Sequence, residues 1–315
     1  MTTNEMTDIE KSISISGFWR RLAAFFVDFM LLGLVGYILG LLFENIFIQI
    51  GNWGKLIGFI IAVCYFSAMN SKLFNGQTIG KKILKIKVVN FANEFIQIEK
   101  STLRAVILNV PIFLNGIYFS EENANSIIAY FLGFVFFGGG FSIIYLYIFN
   151  RITRQSLHDL IASTYVVNSN TSSIKIEKIW NKHFYIISVI LAISIIASIL
   201  VSKNNTFANL SRVQAAILKE SNVLNTSVSS GFTTSHLISN KDKKTTTYIH
   251  IQATLKTKDI ENSLLAKKLA GIAMESVSDA VNMDSIQVTL VKGYDIGIWS
   301  RWTSFRHIFK PSELK

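Results

Sequence analysis

The chain is 315 residues long, 50% hydrophobic and only 16% charged, against about 25% charged in an ordinary soluble domain. The apolar excess falls in blocks, which excludes a purely soluble globular protein and indicates an integral membrane protein with a polar remainder. Much of the net charge of +11 flanks those blocks, where it orients helices and meets anionic lipid, so no nucleic-acid partner is expected.

Residues 1–16 are polar and read as a cytoplasmic tail. Five hydrophobic runs follow, at about 18–43, 54–73, 101–119, 125–149 and 183–202. Each is near the length of helix that crosses a hydrocarbon core of about 30 Å. The first run is not a cleaved signal peptide: its apolar core is too long, it contains Asp28, and no clean small-x-small site follows. Cys64, the one cysteine, lies in the second run and has no partner for an intrachain disulfide. Trp19, Trp53 and Trp180 each stand just before a run, where interfacial aromatics collect. The third run holds Arg104, Asn109, Pro111 and Asn115, and reads either as a kinked span or as a re-entrant hairpin buried among other helices.

Orientation follows from Lys and Arg. Arg20 and Arg21 precede the first run, Lys81, Lys82, Lys85 and Lys87 follow the second, Arg151 and Arg154 follow the fourth, and Lys175, Lys178 and Lys182 precede the fifth. The loops at 44–53 and 120–124 instead carry Glu44, Glu121 and Glu122. The positive-inside rule then puts the N-terminus in the cytoplasm and the residues after 203 outside it.

The last stretch, 203–315, reads as an extracytoplasmic α/β domain in the order α-β-β-α-β. Residues 207–223 have helical spacing and 225–239 are strand-like. Residues 247–257 alternate, with Ile249, Ile251, Ala253 and Leu255 on one face and Tyr248, His250, Gln252 and Thr254 on the other. The turn Asn240-Lys241-Asp242-Lys243 between these strands predicts a hairpin. Asp259 is placed to cap a helix burying Leu264, Leu265, Leu269, Ile272, Ala273 and Val277, and Ile286, Val288 and Leu290 form a last strand. The expected fold is therefore mainly α, a polytopic bundle of about five spans with this domain attached. Its parts are a tail at 1–16, a transmembrane domain at 17–168, a cytoplasmic linker at 169–182, a fifth helix at 183–202 and the outer domain at 203–315.

Three sites carry chemistry. Asp28 sits inside the first run with Arg20 and Arg21 at its mouth. A carboxylate there is costly unless paired, protonated or facing water, so it is a functional candidate, and equally a structural pair that fixes helix register. The stretch Gly76-Gln77-Thr78-Ile79-Gly80-Lys81-Lys82 suggests a phosphate loop but lacks the spacing and the hydroxyl after the lysine. It reads better as a tight turn leading into a basic amphipathic segment on the inner leaflet. In Ser156-Leu157-His158-Asp159-Leu160-Ile161-Ala162, Asp159 is framed by apolar residues and reads as partly buried. No metal-ligand spacing and no nucleophile-and-base set appears, so neither a cofactor nor an enzyme is expected.

The arginine seven residues before Asp28, the Gly-Gln-Thr-x-Gly-Lys turn and the Leu-His-Asp-Leu-x-Ala segment together resemble the RDD family of bacterial membrane proteins over about 16–168. The resemblance maps the family's Arg and two Asp onto Arg21, Asp28 and Asp159, and implies transport, including cation/proton exchange. Arg21 and Asp28 are roughly 10 Å apart along a helix, so Asp159 is placed to meet Arg21 and leave Asp28 to titrate. Two functions follow: a transporter or ion exchanger using this set, helped by homo-oligomerisation, or a membrane scaffold whose outer domain binds an envelope protein. Gly33, Gly36 and Gly40 line one face of the first span with close-packing spacing, and Gly138-Gly139-Gly140 loosen the fourth run.

Overall fold

The computed structural model describes residues 15–115, 127–171, 178–202, 205–236 and 243–314. Most of the expected tail, the acidic loop with Glu121 and Glu122, the middle of the linker and the turn at 240–242 lie outside the described residues.

The first helix, α1 (Phe18–Ile50), buries Arg21, Ala24, Asp28, Leu32, Gly36 and Gly40. That is a stripe at three- and four-residue spacing down one side. Its other faces expose apolar side chains such as Phe26 (63%) and Met30 (62%). Polar groups inside and large apolar ones outside invert the soluble pattern and suit a lipid surround. The helix bends at Phe43, and a 3-10 turn at Gly51–Trp53 reverses the chain into α2 (Gly54–Met69).

The Gly-Gln-Thr turn leads to a five-residue helix, α3 (Ile79–Ile83), and then to β1 (Ile86–Val89). This corrects the expected amphipathic segment: Lys82 and Lys85 are exposed, but Lys81 is turned inward and the chain continues as a buried strand. The helix α4 (Ile98–Phe113) follows, then α5 (Ile127–Gly133), a π-helical turn at Phe134–Gly139, and α6 (Gly140–Phe149). A short α7 (Leu157–Ile161) leads into β2 (Tyr165–Asn168), which pairs antiparallel with β1. Ile15 bridges to Val167, and the Ser16 amide donates to the Val166 carbonyl at 2.8 Å, so the end of the expected tail is pinned to this small sheet.

A long apolar helix, α8 (Lys182–Ser202), completes the membrane part. Among the described residues, three stretches are long and apolar enough to cross a bilayer: 18–69, which contains α1 and α2, then 130–149 and 182–200. The third of the five expected spans is α4, only 16 residues long, with Pro111 inside it and Arg104 and Asn109 buried. It packs against α2 as an internal helix of the bundle. Helix α4 is too short to count by that measure, yet it runs from the Asp159 end of the bundle, where Arg104 pairs, to the Lys55 end, where the Asn115 carbonyl accepts from Lys55.

The C-terminal domain contains α9 (Asn205–Ile217), β3 (Val223–His236), β4 (Lys243–Leu255), α10 (Ser263–Ser276), β5 (Ser285–Asp295) and β6 (Ser300–Phe309). The sheet order is β3-β4-β5-β6, with β4 and β5 parallel and the other pairs antiparallel. One face buries Ile249, Ile251, Leu255, Ile286, Val288 and Leu290 against Val213 and Ile217 of α9 and Leu269 and Ala273 of α10. Each large apolar side chain so buried contributes about 1.5–3 kcal/mol. The expected order α-β-β-α-β omits the last strand, β6, which is mostly exposed and shows no alternation to read. The cap of α10 is Asn262, whose side chain accepts from the Leu265 amide; Asp259 instead accepts from Asn262. Leu264, expected inside, is 81% exposed.

The glycine stripe on α1 meets a hairpin rather than a helix. The loop between β5 and β6 lies between α1 and α2, with Tyr294, Ile296 and Ile298 buried against Leu32, Phe47 and Ala62. A Cβ at Gly58 would collide with the Ile296 carbonyl, and one at Gly40 with the Tyr294 hydroxyl. Trp299 stands against Gly36 and edge-on to Tyr37.

Candidate functional site

At the Phe18 end of α1, elements from across the membrane part converge on two carboxylates. Asp28 Oδ1 accepts from the Tyr65 hydroxyl at 2.8 Å and the Gly80 amide at 2.8 Å, and Oδ2 accepts from the Thr78 hydroxyl at 2.5 Å. It is 1% exposed. The Gly-Gln-Thr-x-Gly-Lys turn is built for this contact. Gly76 takes a positive φ of 66°, Gln77 donates to the Ile86 carbonyl, and Thr78 caps α3. Gly80 lets α3 lie on α1, because a Cβ there would strike the Ala24 carbonyl. The backbone amide of Gly80, which in a phosphate loop would face a ligand, is thus occupied by a carboxylate of the chain itself.

Asp159 is the second centre. Its Oδ2 meets Arg21 Nη2 at 2.6 Å and its Oδ1 meets Arg104 Nε at 2.9 Å. The Ser156 amide and the Thr164 hydroxyl also donate to it, the first as part of a capping box that starts α7. Arg21 donates in addition to the Arg154 carbonyl, and its guanidinium lies 5.0 Å over the Tyr147 ring. Burial acts upward on the Asp159 carboxyl, but the two arginines outweigh it and hold the group well below the usual carboxylate range.

Two basic groups complete the cluster. Lys81 donates to Asn70 Oδ1 at 2.6 Å, and burial, with Arg104 nearby, pushes its ammonium down to about 7. His158 Nε2 stands 3.2 Å from Arg104 Nη2. An arginine can only donate, so this ring nitrogen accepts and the proton resides on Nδ1. Burial pushes the imidazole down to about 3, leaving it neutral at physiological pH.

Of the three residues singled out in the sequence, the structure brings Arg21 and Asp159 into direct contact. Asp28 is set apart, held by its own donors. Arg104, Lys81, Tyr65 and Thr78 were not singled out as site residues. The signal available for Arg104 was its place in the third hydrophobic run; Lys81 stood unmarked in a series of lysines.

The cluster forms the floor of a cavity of about 730 Å³ between α1, α4 and α6. Arg21, Lys81, Arg104 and His158 line one end. The walls are apolar, with Phe25, Leu108, Ile112, Phe137, Phe141 and Ile144 among them. The π turn contributes Phe136 and Phe137, and such turns recur at functional positions in helices. Among the described residues no group of His, Cys, Asp and Glu could hold a metal ion.

A helical domain that is apolar outside, and that ties an arginine of its first helix to an aspartate beyond its last one while burying a second aspartate, defines a class of integral membrane proteins. Residues 15–163 match the model of the RDD family, to which this part of the chain is similar. No curated protein and no solved structure matches the chain significantly.

Proposed function

We propose that this protein is a multi-pass transporter of the bacterial inner membrane, with its N-terminus cytoplasmic and its C-terminal domain on the far side. The reading rests on one observation, the 730 Å³ cavity that joins apolar walls to a buried charged floor. Intramembrane charge beside a cavity is the usual mark of a solute path. On this reading Arg21, Asp28 and Asp159 are the fixed electrostatic frame, and no catalytic chemistry is assigned to the chain. The floor favours an anion over a cation: Arg21, Lys81 and Arg104 line the cavity, whereas neither Asp28 nor Asp159 does. That argues against cation/proton exchange at Asp28.

A second reading, a membrane scaffold whose C-terminal domain binds an envelope protein, draws support from the β5–β6 loop wedged between α1 and α2, which ties that domain to the membrane part.

Flux into proteoliposomes separates the two. Under the transport reading, wild type carries anions across the bilayer and Arg104→Gln, which strips one arginine from Asp159, reduces the flux at least tenfold. Silence of both proteins, with loss of cellular function on deleting 205–314, overturns transport in favour of the scaffold.

A further inference from the structure

We infer that the cavity between α1, α4 and α6 is a binding site for an anionic membrane lipid, with its headgroup phosphate on Arg21, Lys81, Arg104 and His158 and one acyl chain along the aromatic walls. The inference deepens the transport reading by naming the class of molecule. It rests on that reading only for the claim that the lipid is cargo.

The headgroup end has donors to spare. Among the described residues, Arg21 Nε and Arg104 Nη1 make no hydrogen bond, while their other nitrogens are engaged by Asp159, Arg154 and His158. Lys81 uses one of its N–H groups on Asn70. His158 gives an independent sign. It is 3% exposed, it lines the cavity, and its Nδ1 is buried without a partner. With Nε2 accepting from Arg104, that nitrogen carries a proton and needs an acceptor. A buried donor left unmet costs about 1–3 kcal/mol, which a phosphate oxygen removes. Arginine forks and a lysine around a site of excess positive charge are what phosphate recognition uses.

Apart from Asn115, the rest of the cavity wall is apolar and offers a small hydrophilic anion little to bond. From Tyr147 back to Phe136 the wall rises by about 16 Å and presents Phe141, Phe137 and Ile144. Ile144 is 55% exposed on the apolar outside of the bundle while also lining the cavity, so the cavity opens sideways towards the acyl region. The volume is within the roughly 300–1,000 Å³ of sites that bury most of a small ligand. It suits one chain inside, with a second lying in the bilayer. The charged end is at the Phe18 end of α1, beside the exposed Lys82 and Lys85, where an inner-leaflet headgroup would stand.

Native mass spectrometry of the detergent-solubilised full chain tests this with three probes: dioleoylphosphatidylglycerol, dioleoylphosphatidylcholine and glycerol 3-phosphate. The expected result is phosphatidylglycerol held at least tenfold more tightly than phosphatidylcholine, with glycerol 3-phosphate weaker still. Lys81→Gln is expected to weaken phosphatidylglycerol about tenfold, the scale of one charge-assisted hydrogen bond. Ile144→Trp, at a lipid-facing position where folding is not at stake, is expected to weaken it similarly by blocking the chain path. Equal retention of the two phospholipids overturns the proposal, as does glycerol 3-phosphate binding as tightly as the lipid, or lipid binding that neither variant moves. Selective binding without flux in proteoliposomes supports the site and overturns only the transport reading. Flux without selective binding does the reverse.

Discussion

Asp28 is buried inside an apolar helix, where three donors from α2 and the α3 turn converge on it. Asn at this position has the same shape and keeps one oxygen for Gly80 and Tyr65. Its amide nitrogen can only donate where Oδ2 accepted, so Thr78 must turn to accept. Asp28→Asn is therefore expected to destabilise the fold by about 1–3 kcal/mol, read as a lowered unfolding midpoint in detergent; an unchanged midpoint would show that the carboxylate does not hold the turn. His158 sets a pH dependence. Its imidazole titrates near 6.5 when unfolded and near 3 when buried, so between those values the unfolded state takes up a proton that the folded state refuses. Stability is full above about pH 6.5 and falls by ~1.4 kcal/mol per pH unit below it. Midpoints at pH 7 and pH 5 should differ more in wild type than in His158→Gln, and parallel slopes would contradict this account. Arg21, Asp28 and Asp159 were legible in the sequence because a charge in an apolar run stands out. Lys81 was not, because in Lys81-Lys82 one residue faces inward and its neighbour outward, and composition cannot separate them. The positive φ of Gly76 and the contact of Gly80 with α1 are what turn Lys81 inward.

Helix spacing on α1 disclosed the close approach at Gly33, Gly36 and Gly40 without disclosing the partner, since the β5–β6 loop is over 250 residues away in the chain. The alternation at 247–257 read correctly as a strand because its Ile and Leu face a core. The last strand carried no such pattern, because β6 leaves most of its side chains exposed. The three glycines at 138–140 marked a loosened helix, and a π turn ends there, with Gly138 against Leu191 and Ser194 of α8. The loop's seat can be tested directly. With Cys64→Ser as background, Gly36→Cys and Trp299→Cys place their Cβ atoms 2.7 Å apart, nearer than the roughly 3.5–4.5 Å of a disulfide, so the loop need ease outward only by about 1 Å for the thiols to join. They should cross-link under mild oxidation. Gly58→Leu, which drives a side chain into the Ile296 carbonyl, should abolish the cross-link and cost about 1–3 kcal/mol from overpacking. Failure of the first pair to join would place the loop elsewhere.

The charged cluster and the C-terminal domain lie at opposite ends of α1. Arg21 and Asp28 belong to its first turns, whereas Asn52 bonds Asn225, Lys55 pairs with Asp295 at 3.3 Å and Glu44 with Arg301 at 3.7 Å around the reversal into α2. The two ends also differ in charge. Lys82 and Lys85 lead into β1, and Arg151 and Arg154 come shortly before β2, on the side that the proposed orientation puts in the cytoplasm. On the orientation proposed above, the sheet domain stands outside, its loop entering the bundle from the far leaflet, while the cavity is reached from the near one. This arrangement makes a prediction that neither end makes alone. In a Cys64→Ser chain, a thiol at Lys267→Cys, exposed on α10, should react with a membrane-impermeant maleimide added to intact cells, and one at Lys82→Cys only after lysis. Labelling of both from the same side would mean that the apolar stretches between them do not cross as an odd number. The lipid-facing reading of the cavity would then lose the leaflet that supplies its headgroup.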